Sequence, residues 1–186
     1  MIIAFTGAGI SKASGIATFM EQPDVRDRLY RSYAQKNPKS YRYTVKKLYN
    51  TVIDAEPNDA HYALNEYDVS IITMNIDGLH EKAGSFPLTL HGTLPSFEEL
   101  KIADTLYNKP VLYGDQAPNY QKAYQMVSEM SEEDTLLVIG ASHHTAIAQE
   151  LRNIALYNGV RIIEIQEDAV RETREVLERL QQPANE

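Results

Sequence analysis

Short apolar runs that alternate with segments of helical periodicity constrain this chain more than any other feature. The runs are Ile2 to Phe5, Val69 to Thr73, Leu88 to Leu90, Pro110 to Tyr113, Leu136 to Ile139 and Val160 to Ile165. Strands this short and continuously apolar need cover on both faces, and intervening helices supply it. The pattern therefore predicts an α/β fold, a Rossmann-like parallel sheet flanked by helices. The helical segments carry their own stripes, as in Tyr120, Ala123, Tyr124, Val127 and Met130, or Val170, Thr173, Val176, Leu177 and Leu180. Each set marks one buried face.

Between about residues 21 and 66 the pattern is helical and rich in tyrosine. It breaks at Asn37-Pro38 and at Glu56-Pro57-Asn58-Asp59, where Asn58 or Asp59 would cap the next helix. This reads as a small helical insertion after the first glycine loop. No internal repeat or low-complexity segment divides the 186 residues, so the expectation is one domain over 1–186, with only the tail from Gln181 to Glu186 reading as disordered.

Composition narrows the functional classes. No apolar stretch approaches the roughly 20 residues that span a bilayer, which argues against a membrane partner. A formal net charge of -8 argues against general nucleic-acid binding, which needs a concentrated basic surface. The basic residues from Arg26 to Lys47 are interleaved with tyrosines and read as a solvated helical face. The absence of cysteine excludes disulfides, a thiol nucleophile and a thiolate zinc site, and fits a reducing, cytoplasmic setting. The N-terminal apolar run leads straight into a glycine loop, so it reads as a strand rather than a signal peptide.

That loop is Gly7-Ala8-Gly9, followed by Ser11 and Ser14. Its backbone N–H groups can lie against a phosphate at the start of a helix; a tight β-to-α connection explains the same glycines equally well. Asn75 and Asp77 follow the second core strand, where open α/β sheets present side chains to ligands, although Asn, Asp and Gly also build ordinary turns. His91 ends a further short strand and is the candidate general base, with His61, His80, His143 and His144 as competitors of the same chemistry.

Taken together and in order, Gly7-Ala8-Gly9-Ile10-Ser11 with Ser14-Gly15-Ile16, Asn75-Ile76-Asp77-Gly78, His91-Gly92, Tyr113-Gly114-Asp115 and Gly140-Ala141-Ser142 resemble the sirtuin family over nearly the whole chain. The resemblance implies an NAD-dependent protein-lysine deacylase that releases nicotinamide and forms acyl-ADP-ribose, acting on acyl-lysine proteins or peptides. It implies that Gly7, Ala8, Gly9, Ser11 and Ser14 line the pyrophosphate, and that Phe19 closes over the nicotinamide half. Asn75 and Asp77 would contact the nicotinamide ribose and carboxamide, His91 would be the base, and Gly140, Ser142 and Gln166 would hold the second phosphate-and-ribose region. Tyr113 and Gly114 would pair with the acyl peptide.

The departures from the family are equally specific. Met20 stands where the family has an arginine, and Met74 where it has a glutamine. The four-cysteine zinc module that typical members carry is absent from the stretch between residues 93 and 109, so no metal is expected. These differences keep open an NAD glycohydrolase, an ADP-ribosyltransferase, or a module that binds NAD or ADP-ribose without turnover.

Overall fold

The computed structural model describes residues 1–17, 23–102, 109–143 and 145–182. Five parallel strands form one sheet: β1 (Ile2–Thr6), β2 (Ser70–Thr73), β3 (Leu88–Thr89), β4 (Thr135–Ile139) and β5 (Arg161–Ile165), in the order β3-β2-β1-β4-β5. The chain winds outward from β1 in one direction and then crosses back to continue in the other. The crevice between the carboxyl ends of β1 and β4 is therefore the topological switch point, where sheets of this kind receive ligands.

Alternation along the strands sends residues to two cores. Ile3, Phe5, Leu136 and Val138 pack against α6 (Tyr120–Ser128) and α7 (Ala146–Tyr157) through Ala123, Val127, Ile147 and Leu151. Ala4, Leu137 and Ile139 face α4 (Asp59–Glu66) and α8 (Ala169–Gln181) through Ala60, Leu64, Val176 and Leu177. All five residues of β4 are buried, as a strand covered on both faces requires. Gln181, expected in a disordered tail, is the last residue of α8, and residues 183–186 lie outside the described residues. No described helix is long and apolar enough to cross a membrane.

The helical stretch divides into two roles. Its last helix, α4, belongs to the layer that covers the sheet. The first three, α1 (Pro23–Asp27), α2 (Arg31–Lys36) and α3 (Pro38–Val52), build a separate small core from Leu29, Ala34, Tyr41 and Val45. Leu112 completes that core, which corrects one expectation: Pro110 to Tyr113 is apolar but is not a sheet strand. Its backbone is satisfied elsewhere, with Val111 N–H donating to the carbonyl of His91, Tyr113 N–H to that of Leu29, and Arg31 N–H to that of Tyr113. The segment ties the edge of the sheet to the insertion.

Candidate functional site

The loop after β1 coils at once into a short 3-10 helix, Ala8–Ser14, that ends at Gly15 in a left-handed conformation (φ 83°). Gly7 N–H donates to the carbonyl of Ile139 (3.0 Å) and Gly9 N–H to that of Gly140 (2.9 Å). These two donors are thus not bare toward a phosphate, as the sequence had suggested; they stitch the β1 loop to the β4 loop. The glycines are demanded by that contact. A Cβ on Gly7 would lie 2.6 Å from Ala141 Cα, and one on Gly9 would lie 2.5 Å from Gly140 Cα. Ala8 is half-buried beside them, and Ser142 is exposed just beyond.

Ser11, Asn75 and Asp77 meet although more than sixty residues separate the first from the others. The Asn75 amide donates to the carbonyl of Gly7 (3.1 Å) and to Ser11 Oγ (3.3 Å), and the Ser11 hydroxyl donates to Asp77 Oδ2 (2.7 Å). Asp77 Oδ1 accepts from Leu79 N–H (3.0 Å) at the start of α5 (Leu79–Lys82). Asp77 therefore serves a turn and the polar chain together. Ser14 is drawn aside, its Oγ accepting from the Asn58 amide (3.1 Å), which also grips the carbonyl of Ile10 (2.8 Å).

His91 stands at the end of β3 with both ring nitrogens engaged: Nδ1 lies 3.1 Å from the carbonyl of Met74 and Nε2 lies 3.0 Å from the hydroxyl of Tyr120. Burial pushes its pKa below the ordinary imidazole value, with the bond to Met74 opposing part of that shift. The Met74 side chain packs against the apolar core, so this position faces away from polar chemistry while its carbonyl orients the histidine.

Accessibility separates the competing histidines. His61 and His80 are 0% and 1% exposed, and their rings tilt against each other with centroids 4.9 Å apart. Burial lowers them to about 4 and about 3 respectively. His80 Nε2 lies 2.9 Å from Thr6 Oγ1, which donates to Thr73 Oγ1 (2.8 Å), and that oxygen accepts from Asn75 N–H (3.0 Å). Sequence reasoning missed this buried polar layer under Asn75. The one local signal was Asn58, which caps α4 in a capping box with His61. His143 is exposed beside Glu164, and His144 lies outside the described residues.

On the other side of the switch point, the Gln166 amide donates to Glu164 Oε2 (2.7 Å) and to the carbonyl of Ala141 (3.2 Å). Arg152 pairs with Glu164 through Nε (2.7 Å) and Nη2 (3.1 Å), bracing the loop from behind. Tyr113 and Gly114 form an exposed turn held by Asp115, whose carboxylate is gripped by Arg31 at 2.6 and 2.7 Å. The backbone N–H and carbonyl of Tyr113 are already paired with Leu29 and Arg31, and its ring stacks on Tyr30 (centroids 4.9 Å apart). Phe19 and Met20 lie outside the described residues. With no cysteine in the chain, a thiolate zinc module has no ligands here.

Comparison with known proteins bears on the family and the fold. The profile of the Sir2 family matches residues 7–109. A protein named NAD-dependent protein deacylase 2 from Archaeoglobus fulgidus is 31% identical, over 87% of this chain and 78% of its own length. An NAD-dependent protein deacetylase of Saccharolobus solfataricus is 34% identical over 75% of this chain and 70% of its own. Among solved structures, a Sir2 homolog–NAD complex superposes with a TM-score of 0.81 at 24% identity, covering 96% of this chain and 88% of that one. A mutant Sir2 homologue with 2'-O-acetyl ADP ribose gives 0.80 at 25% identity, covering 99% and 94%.

Proposed function

Because the chain belongs to the Sir2 family, we propose that it is an NAD-dependent protein-lysine deacylase of the sirtuin type, releasing nicotinamide and forming acyl-ADP-ribose. One observation carries the reading. Ser11, Asn75, Asp77 and His91 gather at the carboxyl ends of β1, β2 and β3, beside the glycine loops that join β1 to β4. The names of the relatives, and the NAD and acetyl ADP ribose complexes among similar structures, support it.

The donor set suits a dinucleotide: hydroxyl, amide and carboxylate groups at the switch point, with an imidazole at their edge. In this reading Gly7, Ala8, Gly9 and Ser14 line the pyrophosphate, and Gly140, Ser142 and Gln166 the second ribose. Asn75 and Asp77 orient the nicotinamide ribose, with Ser11 holding both in register. When bound, NAD supplies an anomeric carbon made electrophilic by departure of nicotinamide. His91, whose neutral form burial favours, is the base that ultimately receives the proton of a ribose hydroxyl.

A second reading sends the ADP-ribosyl group to water or to another acceptor. It is favoured by Tyr113, whose backbone groups are occupied within the chain and so are closed to strand-wise pairing with a peptide. Incubation with NAD, with and without acyl-lysine peptides, separates the readings when free nicotinamide and acyl-ADP-ribose are both followed. Nicotinamide release that depends on the peptide supports deacylation; release without it supports hydrolysis or transfer. No nicotinamide under either condition excludes both enzymes and leaves a binding module.

A further inference from the structure

The contact between His91 and Tyr120 has one consistent proton arrangement. The carbonyl of Met74 only accepts, so His91 Nδ1 carries the hydrogen that points at it across 3.1 Å. A neutral ring then offers its lone pair at Nε2, and the Tyr120 hydroxyl, 3.0 Å away, is the donor that fills it. His91 thus has no nitrogen open to a substrate. A proton can reach it without breaking either bond by only one route, through the phenol oxygen, which still has lone pairs to accept with.

We propose that Tyr120 is a catalytic residue that completes a proton relay with His91, its phenol taking the proton of the substrate hydroxyl while passing its own to Nε2. The inference rests on the reading of His91 as the base. The proton balance closes: the substrate O–H and the old Tyr120 O–H break, and a new Tyr120 O–H and His91 Nε2–H form. The products are an alkoxide and an imidazolium, and tyrosine is regenerated in the same step.

The setting of Tyr120 favours a relay over a lid that swings aside. Tyr120 is the first residue of α6, and the preceding Asn119 donates its amide to the carbonyl of Thr89 (2.7 Å), fastening the start of the helix to β3. The ring meets His91 at 6.1 Å and lies edge-on to Tyr124 at 6.5 Å, and the Tyr124 hydroxyl is in turn bonded to Glu150. One and two turns along, Ala123 and Val127 are fully buried. Burial, then Glu150 and Tyr113, also raise the phenol above its ordinary pKa, so it remains a donor across the working range. The residue is held in place and half exposed, as a relay between a buried base and an arriving hydroxyl must be.

The test follows acyl-ADP-ribose formation from NAD and an acetyl-lysine peptide in single turnovers. Tyr120→Phe should slow acyl transfer by about 100-fold, the lower end of what a positioned acid–base group contributes, while NAD affinity by calorimetry stays within about twofold. In a His91→Ala background the same substitution should add almost nothing, because the two groups act as one unit. In mixtures of light and heavy water the rate of the unsubstituted protein should curve downward, the sign of two protons in transit; this reading needs no variant to fold. A linear dependence, or acyl transfer in Tyr120→Phe as fast as or faster than in the unsubstituted protein, overturns the relay alone. If the unsubstituted protein releases no nicotinamide with NAD and peptide, the relay falls together with the enzyme reading.

Discussion

Gly9 donates its backbone N–H to the carbonyl of Gly140 across 2.9 Å, and the two loops that flank the switch point are joined there by main chain against main chain. Such closeness leaves no room for side chains. Gly140 is also left-handed (φ +58°), and a Cβ on it would sit 2.4 Å from the backbone nitrogen of Ile10.

Gly9→Ala and Gly140→Ala should each destabilise the fold by about 3 kcal/mol, since backbone rather than a flexible side chain must give way. Gly15→Ala, left-handed but with nothing within 4 Å of its Cβ, should cost only about 1 kcal/mol. Urea unfolding of the three variants measures the contrast; a loss at Gly140 no larger than that at Gly15 would mean that conformation, not contact, sets the requirement there.

Ser11→Ala removes the hydroxyl that joins Asn75 to Asp77. The stability cost should be about 1 kcal/mol, while NAD affinity should fall more than the stability does, because both partners lose their register. Calorimetric titration checks the affinity. An unchanged dissociation constant would assign the three residues to folding alone.

The buried histidines make acid stability predictable in sign. In the unfolded chain His61 and His80 protonate near the ordinary 6.5, whereas in the folded chain they resist until about 4 and about 3. The unfolded state therefore binds more protons between those values, and each unit of depression is worth about 1.4 kcal/mol. Stability should be complete above about pH 6.5 and should fall steadily as pH drops toward 4. His80→Gln should flatten that slope in melting curves taken across the range, and a slope as steep as in the unsubstituted protein would remove His80 from the account.

His91 is lowered by burial from its ordinary value, with the Met74 carbonyl pulling weakly the other way. The acid limb of kcat/KM for acyl transfer should consequently lie below pH 6.5, with the neutral base predominating at pH 7. His91→Gln should abolish acyl transfer and leave NAD binding nearly intact. Lost binding would show that the ring is structural.

Much of the sheet was legible in the chain. The runs at Ile2, Val69, Leu88, Leu136 and Val160 all became strands; the demand that a strand covered on both faces be apolar throughout is met most fully by β1 and β4 at the centre of the sheet, and that demand is local. The same demand misled at Pro110 to Tyr113, because Leu112 is buried by the insertion and an apolar residue does not record which core it fills. At the site, Asn75, Asp77 and His91 were visible as polar residues that end strands. Thr6 and Thr73 were not, and His61 and His80 were visible only as competitors of His91, since nothing in their neighbourhoods distinguishes a buried hydrogen bond from an exposed one.

The sequence by itself determined the parallel α/β architecture, the place of the polar motifs at strand ends and the absence of a thiolate metal site. Each of these follows from periodicity or residue chemistry within a few positions. Only the tertiary structure decided that Gly7 and Gly9 spend their N–H groups on the loop after β4, that His61 and His80 are buried while His91 stays partly exposed, and that Tyr120 stands on its ring nitrogen Nε2. Those are pairings between segments distant along the chain. A hydrogen bond depends on where its partner has been carried by the fold, and no local pattern encodes that.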